Sequence, residues 1–217
     1  MKGKYYIFEG GDLTGKSTMA KMVAEWLTEQ GVKSVVAPQP GATEVGQKLR
    51  QMVKRDKTLE LGKETEAMIF VLDHLSFVET KLNKLLGDGI SVISDRNDHI
   101  SGSVYQVING IDSDRLDTFY SIVNTPKTDG IFVMRASPDV LKDRAGVRDG
   151  DNWDRYESNR EFMDKVYSAY DYLLEGDSGN RINSMVKEDG FCCYVDADRT
   201  IPQVFSEVIT IISKQLK

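Results

Sequence analysis

Long apolar runs, cysteine and excess positive charge are all scarce in this chain of 217 residues. No stretch approaches the ~18 consecutive apolar residues of a membrane-crossing helix. Lysine and arginine together number 28 against 34 acidic residues, for a net charge of -6. Such a chain has no long-range attraction for a nucleic-acid polymer or an anionic membrane, so any phosphate it binds must meet a local basic patch. The two cysteines, Cys192 and Cys193, are adjacent. In a strand, neighbours point to opposite faces, which suits neither a disulfide nor a metal site, and both read as structural thiols. No internal repeat or low-complexity segment is present. The first eight residues run straight into an apolar strand without a charged leader or cleavage site. Together these absences lead to the expectation of an intracellular, cytoplasmic protein. The length suits one compact domain over residues 1–217.

What is present alternates between strand and helix patterns, which indicates an α/β layer fold. Strands are expected near residues 4–9, 32–37, 90–94, 129–134 and 191–195. Helices are expected over 16–29, 43–54, 64–86, 102–108, 115–123, 156–174 and 202–216, with another starting at Ser137-Pro138. In the second helix Val45, Leu49 and Met52 are expected to face inward. Five strands with covering helices imply a three-layer fold with a mostly parallel sheet. Residues 144–154 and 175–180 break the pattern, and the second stretch reads as a plain surface loop.

Gly10-Gly11-Asp12-Leu13-Thr14-Gly15-Lys16-Ser17 fits G-x-x-x-x-G-K-[ST] from end to end, between a strand and a helix. Glycines let the backbone curl so that its N–H groups point at phosphate oxygens, and the helix N-terminus, reached at Ser17-Thr18, adds a favourable field. Lys16 is expected on the β and γ phosphates and Ser17 on Mg²⁺. This motif implies ATP or a related triphosphate. It does not separate a kinase from a hydrolase or a switch.

Asp95-Arg96 ends a strand at the sheet edge where ligands bind in open α/β folds. Asp95 could support Mg²⁺ and Arg96 could clamp a second phosphate, or the two could form a surface ion pair. Arg144 and Arg148 lie on a glycine-punctuated stretch that could close as a lid, with arginine charge on the transferring phosphoryl group. That stretch could equally be a solvated loop whose acids neutralise its arginines. Phe70 and His74 share a helical face. Phe70 could stack on a base or belong to the core, and His74 alone could be structural.

These motifs resemble the thymidylate (dTMP) kinase family through nearly the whole chain. Phe8-Glu9-Gly10-Gly11-Asp12 followed by Gly15-Lys16-Ser17 is similar to its opening, and Pro40-Gly41-Ala42-Thr43 to its Pro-Gly-Gly-Thr. Asp95-Arg96, Tyr105-Gln106 and Asp154-Arg155-Tyr156-Glu157 resemble its later motifs. The resemblance implies ATP as donor, dTMP as acceptor, Mg²⁺, and a homodimer. It implies Asp12 at the acceptor sugar and transfer region, Phe70 on the base, Arg96 at the acceptor phosphate, and Gln106 near base or sugar. Three departures lie on the acceptor side. Pro38-Gln39 stands where the family has Arg-Glu. His74 stands where it has an arginine that contacts the pyrimidine carbonyl edge. One extra residue precedes Tyr105. They leave dUMP, a 5-modified deoxyuridylate or a nucleoside as alternative acceptors, and a non-catalytic nucleotide-binding module as a reading of another class. A pyrimidine site of loose discrimination is the resulting expectation.

Overall fold

The computed structural model describes residues 2–56, 58–147, 156 and 159–216. Its centre is a five-stranded sheet of β1 (Tyr5–Glu9), β2 (Ser34–Pro38), β3 (Ser91–Asp95), β4 (Thr128–Arg135) and β5 (Val186–Asp196), in the order β2-β3-β1-β4-β5. Every pairing is parallel. Parallel neighbours need crossovers, so both sheet faces are covered and the strands can be apolar throughout. All five residues of β1 are buried, and so are seven of eight in β4.

Alternation along the strands divides the core in two. Tyr5, Ile7, Ile131 and Val133 face one cluster, and Tyr6, Phe8, Phe132 and Met134 the other. The second cluster is covered by α1 (Lys16–Glu29) and α10 (Ile201–Ser213). The first is covered by α2 (Glu44–Lys54), α3 (Lys63–Phe77), α5 (Asp98–Ile108), α6 (Ser113–Tyr120), α8 (Arg160–Asp171) and α9 (Gly176–Ser184). Helix α3 continues through a π-helical turn, Val78–Leu82, into α4 (Asn83–Gly87), and α7 (Pro138–Val147) follows β4. Cys192 packs against the first cluster and Cys193 against the second, as strand alternation requires.

Two local expectations are corrected. Residues 175–180 are not a plain loop: α9 begins at Gly176. Its Ile182 is buried, and Gly179 lies so close to the Leu174 carbonyl that an added Cβ would sit 2.3 Å from the oxygen. Packing has overridden the poor helix propensity of Gly, Asp, Ser and Asn. In α2 the inward face is Gly46 and Val53, while Val45 is 56% and Met52 39% exposed. Leu49 is partly buried against the core.

Candidate active site

Asp12, Lys16, Asp95 and Arg96 gather at the C-terminal edge of β1 and β3, where each strand hands over to a loop or helix. Behind β1 the chain turns at Gly10, whose φ of 135° is open to glycine and where a Cβ would lie 2.4 Å from the Met134 carbonyl oxygen. The loop curls so that the Gly11 carbonyl accepts from Lys16 Nζ at 2.6 Å and from Thr14 Oγ1 at 2.8 Å. Gly15, also at positive φ, precedes α1 with no side-chain cap, which leaves the first amides of the helix for a ligand. Burial first, and Arg96 second, pull the Lys16 ammonium down to about 8 despite nearby Asp12, Asp95 and Glu9.

This loop forms one wall of a cavity of about 520 Å³. Its lining includes residues 12–19, among them Leu13, Thr14 and Thr18, together with Arg144, Ala197, Arg199, Ile201 and Val204. Arg144 donates to the Leu13 carbonyl at 2.9 Å and to that of Ala197 at 2.7 Å. One arm of its fork thus braces the loop and the other ties it to the turn after β5. Arg148, with Asp154, Arg155 and Glu157, lies outside the described residues. The Ser17 hydroxyl donates to Asp95 Oδ2 at 2.5 Å. A hydroxyl and a carboxylate meeting beside a phosphate cradle are the oxygen donors a Mg²⁺ ion takes when most of its other ligands are phosphate and water.

Arg96 is held at a φ of 69°, a left-handed conformation that few residues other than glycine adopt. Its guanidinium meets Asp12 Oδ1 at 2.6 Å and donates to the Gly10 carbonyl and the Tyr105 hydroxyl, each at 3.3 Å. Burial alone would raise Asp12; the cations Arg96, Lys16 and Lys54 outweigh it and hold the carboxylate far below its usual range. Tyr167 donates to the Asp12 carbonyl at 3.1 Å. Glu9, fully buried, accepts from the Asn97 amide at 2.6 Å and from Tyr170 at 2.8 Å, and so fixes the backbone that presents Arg96.

Arg96 and Lys54 also line a second, narrow slot with Pro40, Phe70, Asp98, Ser101, Gly102, Tyr105, Gln106 and Tyr156. Phe70 is both a slot wall and part of the core, at 8% exposure. Gln106 donates to Glu66 at 3.3 Å and to Tyr156 at 3.5 Å. The slot has a volume of about 30 Å³.

His74 is not in this slot. It is fully buried, contacts Gln39 Nε2 through Nδ1 at 3.1 Å and Thr125 Oγ1 through Nε2 at 2.8 Å, and packs edge-on against Tyr120. Burial first, and His99 second, push it down to about 3, so the ring is neutral. The lining of the slot does not include it, and its two ring nitrogens are taken up by Gln39 and Thr125.

Sequence reasoning missed Arg50, Lys54 and Arg55. These cations line the large cavity from α2, and Arg50 donates to the Pro40 carbonyl at 2.8 Å. They line the same cavity as Pro38-Gln39, where the family resemblance implies a basic residue. Their i, i+4 spacing at 50 and 54 was the available signal. Asp98 and Ser101 were also missed; the buried face of α5 at 98, 101, 102, 105 and 106 could have found both.

The comparisons agree with this geometry. The family model described as thymidylate kinase matches residues 8–190. A protein named thymidylate kinase from Caldicellulosiruptor saccharolyticus is 31% identical over 100% of this chain and 99% of its own. One so named from Rhodopirellula baltica is 28% identical over 96% of this chain and 80% of its own. A probable thymidylate kinase of Pyrococcus abyssi is 26% identical over 100% and 98%. With a phosphate-binding loop, an Asp12–Arg96 pair and a Phe70-walled slot along one sheet edge, and with that match across most of its length, the chain belongs to the thymidylate kinase family.

Proposed function

We propose that this enzyme transfers the γ-phosphoryl group of ATP to dTMP, with the donor in the large cavity and the acceptor base in the slot. The observation that carries this reading is the Asp12–Arg96 pair at the junction of the two spaces, with Arg96 lining both. An acceptor phosphate there lies next to the phosphate loop. Its oxygen attacks the γ phosphorus in line, a new P–O bond forms as the bond to the β-phosphate oxygen breaks, and ADP leaves. No covalent enzyme intermediate is required.

The protein's part is alignment and charge. Residues 10–18 hold the phosphates with backbone amides, and Lys16 leaves the Gly11 carbonyl to meet the β and γ groups. Ser17 and Asp95 would hold Mg²⁺, which when bound neutralises and orients the triphosphate. Arg96 clamps the acceptor phosphate, while Arg50 and Lys54 supply the charge missing at Pro38-Gln39. Asp12, kept ionised, accepts from the acceptor sugar hydroxyl. Phe70 stacks on the base, and Tyr105 and Gln106 close its pocket. Arg144 braces the loop, and Arg148 is assigned to the transferring phosphoryl group. The whole of residues 1–217 acts as one kinase domain with a lid near 144–154, in the cytoplasm. The family resemblance implies a homodimer.

The test is a coupled assay of ADP release with ATP, Mg²⁺ and each nucleoside monophosphate. Turnover with dTMP that is lost in Lys16→Ala supports the reading. Near wild-type turnover in that variant, or a purine monophosphate as the preferred acceptor, overturns it.

A further inference from the structure

Residues 39–43 join β2 to α2 and form a wall shared by the two spaces: Gln39 lines the large cavity and Pro40 the slot. One helix holds much of this loop. The Gly41 amide donates to Asp73 Oδ2 at 3.0 Å, Gln39 Nε2 lies 3.1 Å from His74 Nδ1, and Thr43 Oγ1 lies 3.0 Å from Ser76 Oγ. A further fastening is Lys81, whose Nζ donates to the Ala42 carbonyl at 2.7 Å. Asp73, His74 and Ser76 belong to α3, and Lys81 to the π-helical turn that extends it.

The turn explains how Lys81 reaches the loop. Five residues of unbroken α-helix rotate by ~500°, which would leave Lys81 about 140° around the axis from Ser76. In the turn the Asn83 amide reaches back five residues, to the Val78 carbonyl, so the circuit holds an extra residue. Positions five apart then come closer to one face. Ser76 and Lys81 both meet the loop, while Phe77, Val78 and Leu82 stay buried. Lys81 is otherwise exposed, but Ala42 is only 8% exposed, so its carbonyl has little water to turn to if the ammonium is removed. Two residues before Ala42, the Pro40 carbonyl takes Arg50 at 2.8 Å. A shift of Ala42 therefore moves a slot wall and a cavity cation together.

We infer that Lys81 is a positioning residue for the acceptor. By holding the Ala42 carbonyl it sets where Pro40 stands in the slot and where Arg50 stands in the cavity, without touching substrate. The inference rests on the acceptor reading above. The phosphate loop has fastenings of its own, from Arg144 to the Leu13 carbonyl and from Tyr167 to that of Asp12, so the donor side has no share in this role.

Steady-state kinetics of Lys81→Met with dTMP and ATP supply the test. Loss of one hydrogen bond should raise the dTMP KM by about three- to tenfold, with kcat and the ATP KM held within about twofold. Lys81→Arg keeps a charged donor on a long stem and should match wild type within about twofold. In the double variant of Lys81→Met and Arg50→Ala, the rise should fall short of the product of the single effects, because both side chains act through residues 40–42. An unchanged dTMP KM in Lys81→Met overturns the inference. So does a lowered Tm accompanied by parallel changes in both KM values, which would show a general loosening, and so does an Arg variant as impaired as the Met variant. Should Lys81→Met fail to fold, Lys81→Gln carries the same expectation and the same refutation. Wild-type protein that turns over no nucleoside monophosphate would instead overturn the acceptor reading, and this inference with it.

Discussion

Lys16 gives the sharpest expectation at the scale of single residues. Burial and Arg96 hold its ammonium at about 8 in the free protein, and a bound triphosphate would raise it again. ATP affinity should therefore be flat below pH 8 and weaken above it by up to about tenfold per unit, a slope that calorimetric titration between pH 7 and 9.5 would measure. A flat profile throughout would show that the charge on Lys16 does not govern binding. Arg96→Ala should raise the acceptor KM and lower kcat by at least about tenfold each, with the ATP KM changed little, since the lost contact is a charge-assisted one on the acceptor side. An equal loss on both substrates would place Arg96 on the donor. The placement of Lys16 and Arg96 at one sheet edge was legible in the sequence, because short motifs carry their backbone geometry with them. His74 was not. Its spacing from Phe70 put it on the right helix, but a helix four residues on offers two neighbouring directions, and only the positions of Gln39, Tyr120 and Thr125 decide between them.

Elements explain the next misreading. The pattern of α2 placed Val45 and Met52 inward because apolar residues were assumed to mark the buried face; the polar side instead carries Arg50 and Lys54 over the cavity. That gives α2 a functional face which its apolar residues conceal. Arg50→Ala should raise the acceptor KM by about three- to tenfold while leaving the ATP KM within twofold, because an exposed-edge cation contributes less than a buried clamp. If kcat alone falls, Arg50 acts on transfer instead. Helix α9 fails in the other direction, since its composition argues for a loop and packing makes it a helix. Gly179→Ala would gain helix propensity but push a Cβ against the Leu174 carbonyl, so it should destabilise by about 1–3 kcal/mol, read as a lowered Tm. A raised Tm would mean that propensity, and not packing, limits α9.

For the molecule as a whole, acid sensitivity follows from burying a neutral imidazole. His74 stays uncharged down to about pH 3, whereas in the unfolded chain it takes a proton near its ordinary 6.5. Between those values the unfolded state binds more protons, so stability present above 6.5 is lost as the pH falls, by at most about 1.4 kcal/mol per unit from this group. Urea unfolding of wild type and His74→Gln from pH 7 to 4 should show the steeper decline in wild type; parallel curves would mean that His74 is not the sensor. The sheet order has a further consequence for how the chain is made. β1 sits at the centre, yet its partners β3 and β4 come 82 or more residues later, the gap from Glu9 to Ser91. At ~5–20 residues per second a ribosome needs about 4–16 s to supply the first of them. For that interval Tyr5-Tyr6-Ile7-Phe8, all buried in the finished fold, has no strand to pair with, which makes the nascent amino-terminal third the segment most in need of a chaperone.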